Sequence, residues 1–429
     1  MISTVIMAGG KGTRLASISN DIPKSMITIN DKPVLEYQIE CLKKNSLNNI
    51  TLAVGHLNKS IKEYFGDGRS FGCTISYYTE TEALGTAGAL YKIEGLSDDF
   101  ILINGDIIFD IDFSRMIDFH KKNKALASLA VHPNNHPYDS AILVCNNNDQ
   151  VISWLNKEDE RTYYKNIVNA GIHIISSELL NFFHFDKDNV DLDRDILKPA
   201  LQTGRIFGYQ TPEYIKDMGT PERYRQISLD LNKGLVKSRN LSEKQKCVFL
   251  DRDGTINELN GFVTKPEDFT LIEGVAEAVK TLNNLGFLVV VITNQPAIAR
   301  GEIDFETLDL IHMKMETELG KFGAYIDSLY YCPHHTDKGF SGERAEYKIN
   351  CDCRKPKPGM LLKAAEKFNI DLKRSFMVGD DKRDVDAGIA AGCIPVFLTN
   401  NNSFNNTECL NKIKTYKNLK EFTDSFLDL

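Results

Sequence analysis

Several features that would set the class of this protein are missing from its sequence. The longest apolar run, Phe287 to Ile292, is far shorter than the roughly 20 residues that a membrane-spanning helix needs. The N-terminus has no basic start and no cleavage site, so it predicts no targeting signal. There are no internal repeats and no low-complexity tracts. We therefore expect a cytoplasmic protein that has no membrane partner.

An excess of basic residues is also missing. The chain has 59 Asp and Glu residues against 51 Lys and Arg residues, a formal net charge of −8. A nucleic-acid scaffold needs a basic face, so we expect no nucleic-acid partner. Small phosphorylated substrates are not excluded, because they need only a few placed cations. With 429 residues, 42% hydrophobic and 26% charged, the chain is typical of a globular protein with two domains.

Disulfide bonds are not expected. The nine cysteines are an odd count, and Cys409 lies in a polar stretch without other signals. Five others stand singly, mostly beside apolar residues, as small buried side chains do: Cys41, Cys73, Cys145, Cys247 and Cys393. The remaining three are Cys332, Cys351 and Cys353. They lie near His334, and in a reducing compartment such a cluster indicates a metal site.

Short β-rich runs alternate with helical patterns along residues 1–232, and the alternation restarts at residue 247. This pattern predicts mainly parallel sheets with helices on both faces. A polar stretch rich in Lys, Ser and Asn separates the two halves, and we interpret residues 233–246 as a linker. We therefore expect two three-layer α/β/α domains, at 1–232 and at 247–429.

A glycine-rich loop follows the first predicted strand. Its glycines let backbone N–H groups approach a phosphate, and Arg14 can neutralise phosphate oxygens. The other loop residues that could contact a phosphate are Gly9, Gly10, Gly12 and Thr13. The spacing fits neither the Rossmann nor the Walker fingerprint. Taken alone, the loop is interpreted equally well as a structural turn.

Further motifs follow in the same half. Gly85 lies in a second small-residue turn that leaves space for a flat base or a sugar. Asp106 ends an apolar strand, at the edge where α/β sheets hold ligands. The other candidates are Lys24, Asn169, Gly171 and Asp217. Either aspartate alone is better interpreted as a cap or turn residue, but their occurrence with the loop and Lys24 reverses that preference.

Together these motifs resemble the sugar-1-phosphate nucleotidyltransferase family over essentially all of residues 1–232. The resemblance implies a Rossmann-like, GT-A-like domain. It also implies an in-line attack of a sugar 1-phosphate on the α-phosphorus of a nucleoside triphosphate, with release of pyrophosphate. Asp106 and Asp217 would bind Mg²⁺, which such chemistry needs.

The resemblance also implies roles for the other motif residues. Gly9 to Arg14 would hold the triphosphate, and Lys24 would contact phosphate between the two reactants. Gly85 would lie beside the base or sugar, with Asn169 and Gly171 lining the sugar pocket. Two pairs depart from the family pattern at the sugar end, so the sugar stays open. They are Asn156-Lys157, where a Glu-Lys pair is usual, and Asp193-Arg194.

In the second half, polar residues follow the ends of three predicted strands. The first strand runs into Asp251 and Asp253, the second into Thr293, and the third into Asp380. A basic pair, Arg354-Lys355, follows the cysteines. A nucleophilic carboxylate, a second acid, a hydroxyl, a cation and a metal-binding acid are what phosphoryl transfer through an aspartyl phosphate needs.

This ordered set resembles the haloacid dehalogenase superfamily of phosphatases. The resemblance implies that Asp251 attacks phosphorus and that Asp253 serves as general acid and then general base. Thr293, Lys355 and Arg354 would stabilise the transferring phosphoryl group. Mg²⁺ would be held by Asp251, the backbone carbonyl of Asp253 and Asp380. The gaps between the motifs have no room for a full cap domain.

Three thiolates and one imidazole predict a closed Cys₃His site that suits structural Zn²⁺. The predicted ligands are Cys332, His334, Cys351 and Cys353. His335 could replace its neighbour, but the resemblance favours His334. Such a metal would stiffen the loop that carries Arg354 and Lys355.

The loop narrows the resemblance to D-glycero-D-manno-heptose 1,7-bisphosphate 7-phosphatases; histidinol-phosphate phosphatases share the same zinc loop. Two positions depart from the heptose enzymes: Asp381 replaces a usual Lys, and Pro296 replaces a small polar residue. The residues that match substrate-contacting segments are Asn260, Gly261, Phe262, Asn294 and Gln295.

A phosphatase that leaves a sugar 1-phosphate and an enzyme that consumes one make a coherent pair. We therefore expect a bifunctional enzyme that makes a nucleotide-activated heptose, with GTP as the donor, Mg²⁺ in both domains and Zn²⁺ in the second. An oligomer is possible. Two alternatives stay open. One is a mannose-1-phosphate guanylyltransferase fused to a histidinol-phosphate-type phosphatase, and the other is a first domain that only binds nucleotide sugar as a regulatory module.

Overall fold

The computed structural model describes residues 2–9, 22–55, 57–259, 261–399 and 413–427. The chain divides into two compact units. The first holds Met1–His132, Leu143–Leu155 and Val168–Asn240. The second holds Pro133–Ile142, Asn156–Ile167 and Leu241–Leu429.

The division between Asn240 and Leu241 falls inside the stretch predicted as a linker. That stretch is not wholly extended, because it carries a short helix, Leu235–Ser238. Residues 133–142 and 156–167, here called the crossing segments, come from the first half of the chain but pack in the second unit. The sequence did not predict this exchange.

The first unit contains thirteen of the strands that the structure describes. They are β1 (Ser3–Met7), β2 (Thr28–Ile29), β3 (Lys32–Pro33), β4 (Asn49–Val54), β5 (Thr74–Thr79), β6 (Asp99–Asn104), β7 (Ile107–Asp110), β8 (Ala127–His132), β9 (Ile142–Cys145), β10 (Val151–Leu155), β11 (Val168–Ser176), β12 (Ile206–Gln210) and β13 (Tyr214–Asp217). Its helices are α1 (Val34–Lys44), α2 (Asn58–Phe65), α3 (Phe113–Asn123), α4 (Ser177–Asn181), α5 (Lys198–Ala200), α6 (Pro221–Asn232) and α7 (Leu235–Ser238).

The main sheet of this unit runs in the order β10-β9-β11-β6-β1-β4-β5, with β8 paired to β11 and β12 paired to β8. Strands β6, β1, β4 and β5 are parallel, and β11 is antiparallel to β6. A separate antiparallel ribbon joins β7 and β13, and its register sets Asp217 opposite Ile107. The ends of the ribbon therefore bring distant parts of the chain together.

The second unit contains the remaining described strands and helices. Its strands are β14 (Cys247–Leu250), β15 (Leu288–Asn294), β16 (Ser328–Cys332), β17 (Phe376–Gly379), β18 (Ile394–Leu398) and β19 (Lys414–Tyr416). Its helices are α8 (Val275–Asn284), α9 (Ala297–Arg300), α10 (Phe305–Lys321), α11 (Gly359–Lys367), α12 (Lys382–Ala391) and α13 (Leu419–Asp424). Asp304 caps α10 by accepting a hydrogen bond from the backbone N–H of Thr307.

All six strands of the second unit are parallel, in the order β16-β15-β14-β17-β18-β19. Successive residues of a strand point to opposite faces, and here both faces are covered. Val289 and Val291 of β15 pack in one apolar cluster with α8 and α10, whereas Val290 and Ile292 pack in another with α11 and α12. Helices therefore cover both faces of this sheet, and the predicted α/β class is confirmed for both halves.

The crossing segments pack on α10. The backbone N–H of Tyr164 donates to Thr317 Oγ1 at 3.0 Å, and the backbone N–H of Asn166 donates to Glu316 Oε2 at 2.8 Å. Burial raises the pKa of Glu316 to about 7. A half-buried acid on α10 thus accepts a hydrogen bond from chain of the first half.

No helix within the described ranges is both long and apolar enough to cross a membrane.

Candidate active sites

The candidate site of the second unit lies where three adjacent parallel strands end. Asp251 follows β14, Thr293 is next to the end of β15, and Asp380 follows β17. The strand order β15-β14-β17 makes these ends neighbours. The structure therefore brings these predicted site residues together at one edge of the sheet.

Lys355 is the buried cation of this site, with 2% of its side chain exposed. Its Nζ lies 2.8 Å from Asp251 Oδ1 and 2.6 Å from Asp384 Oδ1, and it donates to the backbone carbonyl of Ile292 at 2.8 Å. Burial alone would lower the pKa of Lys355, but the two carboxylates raise it. The ammonium group is therefore held charged between two acids.

Three carboxylates form a possible metal group here: Asp251, Asp380 and Asp384 place ligand atoms within 4.8 Å of one another. Burial, and then the charge of Asp251, raises the pKa of Asp380 to about 7 and that of Asp384 to about 7. Carboxylate oxygens are the ligands that Mg²⁺ prefers, and a cation would relieve this crowding of charge. The donor set therefore fits Mg²⁺.

Sequence analysis did not select Asp384. It lies in the first turn of α12, where it forms a capping box with Asp381, so it looks like an ordinary helix-start residue. The sequence feature that could have identified Asp384 as part of the acidic group is its position four residues after Asp380, in the first turn of the helix.

The backbone leaves space for this acidic group at Gly254. The residue has φ +84°, and a Cβ atom there would lie 2.0 Å from Asp380 Oδ2. Only glycine meets both conditions without displacing the carboxylate.

The carboxylate of Asp253 lies outside the metal group. It accepts hydrogen bonds from Arg252 and from Gln295 Nε2, the latter at 2.9 Å. Gln295 also donates to Thr293 Oγ1 at 2.9 Å. Coordination through the backbone carbonyl of Asp253 stays a prediction.

The predicted substrate residues separate into two groups. Asn294 exchanges hydrogen bonds of 3.0 and 3.1 Å with the backbone of Lys355, so it orients that cation. Gly261 has φ +98°, and Phe262 is 52% exposed with its ring 4.7 Å from the guanidinium of Arg300. Asn260 lies outside the described residues.

The four predicted zinc ligands come together. The Sγ atoms of Cys332, Cys351 and Cys353 are separated by 3.2 to 3.5 Å. Nδ1 of His334 lies 3.3 Å from Cys353 Sγ and 3.7 Å from Cys332 Sγ. A tetrahedral zinc site places thiolate sulphurs about 3.7 Å apart, so the group fits Zn²⁺.

His334, rather than His335, is the imidazole of this group, since His335 instead lies 3.6 Å from Asp337. The guanidinium of Arg354 donates to the backbone carbonyl of His334 at 3.0 Å. The cysteine loop therefore holds the guanidinium of Arg354, whereas Lys355 is held by Asn294 and by the carboxylates of Asp251 and Asp384.

The candidate site of the first unit gathers two acids at the β7–β13 ribbon. The backbone N–H of Met218 donates to the carbonyl of Asp106 at 3.0 Å, which makes the predicted metal acids neighbours in the fold. Lys24 Nζ lies 3.0 Å from Asp106 Oδ2. Arg223 donates to both oxygens of Asp217, at 2.8 and 2.9 Å. Two carboxylates suit Mg²⁺ as donors, and each has a cationic partner here.

The small-residue motifs are turns with little spare space. Gly85 has φ +78°, and a Cβ atom there would lie 2.4 Å from the carbonyl of Val190. Asn169 Oδ1 accepts hydrogen bonds from the backbone N–H of Gly171 at 3.1 Å and from His173 Nε2 at 3.0 Å. Gly9 lies two residues after β1. The rest of the glycine loop lies outside the described residues: Gly10, Gly12, Thr13 and Arg14.

The two departures at the sugar end lie in different units. Asn156 begins a crossing segment. Asp193 lies in the first unit, where burial, and then the charge of Asp191, raises its pKa to about 6. Arg194 pairs with Asp195 at 3.0 Å. The two residues of the Asp193-Arg194 motif therefore differ in surroundings, and Arg194 forms its ion pair with Asp195.

Comparison with known proteins matches both halves. The nucleotidyl transferase family model matches residues 3–234, and the haloacid dehalogenase-like hydrolase model matches residues 182–392. The D-glycero-beta-D-manno-heptose-1,7-bisphosphate 7-phosphatase of Vibrio cholerae serotype O1 is 47% identical over 146 residues, which are 34% of this chain and 76% of that protein. The chain belongs to both families. The predicted pair of enzyme classes, a nucleotidyltransferase and a haloacid dehalogenase-like phosphatase, is confirmed.

Two solved structures are also similar to parts of this chain. A D,D-heptose 1,7-bisphosphate phosphatase from B. bronchiseptica, solved with magnesium and phosphate, is 31% identical and covers 43% of this chain and 99% of its own, with a TM-score of 0.38. HddC from Yersinia pseudotuberculosis is 27% identical and covers 54% of this chain and 100% of its own, with a TM-score of 0.47. The phosphatases among these relatives are named as enzymes that act on small molecules such as sugar phosphates.

Proposed function

We propose that the second unit removes the 7-phosphate of D-glycero-D-manno-heptose 1,7-bisphosphate. The observation that carries the proposal is the grouping of Asp251, Lys355, Asp380 and Asp384, in a chain whose Vibrio cholerae relative is named for that reaction. The 7-phosphate is primary and projects from the sugar ring, so it reaches Asp251 with little steric demand.

In the proposed reaction, a carboxylate oxygen of Asp251 forms a bond to phosphorus while the bond from phosphorus to O7 breaks. The leaving alkoxide takes a proton from the carboxyl group of Asp253. Water then attacks the aspartyl phosphate, gives its proton to Asp253 and releases phosphate. Lys355 and Thr293 balance the charge on the transferring group.

Metals complete both sites in this proposal. Asp251, Asp380 and Asp384 would hold Mg²⁺, which supplies positive charge against the phosphate dianion when bound. Cys332, His334, Cys351 and Cys353 would hold one structural Zn²⁺.

We propose that the first unit transfers a guanylyl group from GTP to the resulting heptose 1-phosphate. An oxygen of the sugar phosphate bonds to the α-phosphorus as pyrophosphate leaves. Lys24 would contact phosphate, Asp106 and Asp217 would hold Mg²⁺, and the loop from Gly9 to Arg14 would hold the triphosphate. Cytoplasmic location and oligomeric state stay predictions.

The deciding experiment supplies each anomer of the bisphosphate together with each of the four nucleoside triphosphates. Phosphorus NMR should show loss of the 7-phosphate signal first, followed by pyrophosphate and one GDP-heptose anomer. Initial loss of the anomeric phosphate, or equal loss of both signals, would contradict the proposed order. A preference for another triphosphate would overturn the guanylyl assignment alone.

A further inference from the structure

Arg252 lies between the two predicted catalytic acids in the sequence and takes no part in the proposed reaction steps. It is fully buried and is among the largest buried side chains that the structure describes. A buried guanidinium costs stability unless it is paired. The partners of Arg252 therefore indicate which side chains it positions.

The partner of Arg252 is Asp253. Arg252 Nη2 lies 2.7 Å from Oδ1 and 2.9 Å from Oδ2 of that carboxylate, and Nε lies 3.0 Å from Oδ1. Gln295 donates to Oδ2 from another direction at 2.9 Å. The carboxylate of Asp253 is therefore oriented by two side chains that follow different strands.

The other end of the guanidinium meets His312 on α10. Nη1 of Arg252 lies 3.3 Å from His312 Nε2, and the imidazole is buried. Burial, and then the charge of Arg252, lowers the pKa of His312 well below its usual value. The ring is therefore neutral, and a neutral imidazole has one nitrogen that can accept a hydrogen bond.

The two acids thus have separate cations. Lys355 serves Asp251 and Asp384, whereas Arg252 serves Asp253. The orientation of the Asp253 carboxylate therefore depends on Arg252 and Gln295 and not on Lys355.

We propose that Arg252, oriented by His312, is a positioning residue that aims the carboxyl group of Asp253 at the leaving-group oxygen. The inference rests on the proposed function, in which Asp253 gives a proton to the leaving alkoxide as the P–O bond breaks. Mispositioning harms that transfer only when the leaving group needs a proton. An alkoxide needs one, whereas p-nitrophenolate does not.

The test compares His312→Leu, which removes the acceptor, with His312→Gln, whose amide oxygen can accept from Arg252. The readout is the single-turnover rate of the first step, with heptose 1,7-bisphosphate and with p-nitrophenyl phosphate. His312→Leu should lower the rate about 100-fold on the heptose substrate and less than about threefold on the aryl substrate. His312→Gln should restore most of the loss, and Leu310→Ala, on the exposed side of α10, should change neither rate.

Arg252→Lys keeps the positive charge but loses the paired N–H donors of the guanidinium. It should show the same difference between the two substrates. Adding His312→Leu to Asp253→Asn should cause no further loss on the heptose substrate. Equal losses on both substrates, or an additive loss in the double variant, would overturn the inference. If the wild-type protein cleaves p-nitrophenyl phosphate but not the heptose substrate, the proposed substrate fails instead, and β-glycerophosphate then serves as the alkyl phosphate.

Discussion

The acids of the two candidate sites are assembled in different ways. In the second unit, Asp251 and Asp380 follow neighbouring strands of one parallel sheet. In the first unit, Asp106 and Asp217 meet at the ribbon of β7 and β13, which is separate from the main sheet. The first arrangement follows from strand order, whereas the second depends on a pairing between residues about a hundred positions apart.

The charge balance also differs. The acids of the first unit are paired singly, Asp106 with Lys24 and Asp217 with Arg223. In the second unit one buried ammonium group, Lys355, serves two acids, Asp251 and Asp384, and a third carboxylate, that of Asp380, lies beside them. A site with surplus negative charge is suited to a divalent cation, so the second unit should depend on metal for stability as well as for chemistry.

A change at Asp251 should produce the largest difference between the activities of the two units. Replacing it by Asn removes the nucleophile but keeps the shape, and phosphate release should fall on the order of 10⁴-fold. Pyrophosphate release from GTP and heptose 1-phosphate, measured on the same preparation, should stay near the wild-type rate. If this variant lost both activities while remaining folded, the two sites would not be separate.

The matching change in the first unit is Asp106→Ala or Asp217→Ala. Each should lower pyrophosphate release by about 10²- to 10³-fold, because each removes a proposed metal ligand. Phosphate release from heptose 1,7-bisphosphate is the internal control. Substantial transfer by both variants would leave the two aspartates as structural residues of the ribbon.

The cysteine group should contribute to the stability of the second unit and not to that of the first. With Cys351 and Cys353 both replaced by Ser, elemental analysis should find the zinc lost. A loss of about 3 kcal/mol corresponds to a melting temperature lower by roughly 6–12 °C for a unit of this size. Calorimetry should show that change in one transition, with the other little altered. Wild-type protein that contains no zinc when purified without chelator would refute the assignment.

Removing the crossing segments tests how much they contribute to the stability of the second unit. A fragment of residues 241–429 lacks the chain that packs on Glu316 and Thr317. We expect it to melt several degrees below the corresponding transition of the whole protein, but to keep phosphatase activity. Glu316→Gln in the full chain is the control for the charge of Glu316, because glutamine still accepts the hydrogen bond from the backbone N–H of Asn166 but has no negative charge. A fragment as stable as the full chain would show that the segments contribute nothing.

The smallest effect concerns pH. Asp380 and Asp384 titrate near 7 when folded, against an ordinary value of 3.8, so the native state binds more protons between about pH 4 and 7. The free energy of unfolding of the metal-free second unit should therefore fall as pH rises through that window. Mg²⁺ binds the ionised form, so its stabilising effect on the melting temperature should be larger at about pH 8 than at about pH 5.5. The opposite trend would mean that these acids do not bind the ion.

The second site was more predictable than the first, for a physical reason. Polar residues at the carboxyl ends of apolar strands in a parallel sheet lie at one edge of that sheet. Asp251, Thr293 and Asp380 could therefore be grouped from the sequence. The cysteine group was predictable because few other uses fit three thiols and an imidazole so close in sequence. Helices such as α1 and α3 were also predictable in kind, because the sequence alternates helical patterns with β-rich runs.

Other features left no local signal. Strands β7 and β13 are short, and nothing in their sequences shows that they pair. Asp384 looks like a helix-capping residue, and Arg252 looks like an exposed cation between two acids until its burial is known. The crossing segments are recognisable only through contacts with a helix far along the chain. Long-range packing decides each of these cases.

The crossing segments also have a consequence for the order in which this protein can form during synthesis. Asn166 and Glu316 are 150 residues apart, so the segment that carries Asn166 is made long before the helix that it contacts. At about 5–20 residues per second, ribosomes need roughly 8–30 s to make the intervening chain. Throughout that interval the first half is a nascent chain with two segments whose partner does not yet exist. The complete second unit is therefore not a purely late product of synthesis, because two of its segments are made long before the rest of it.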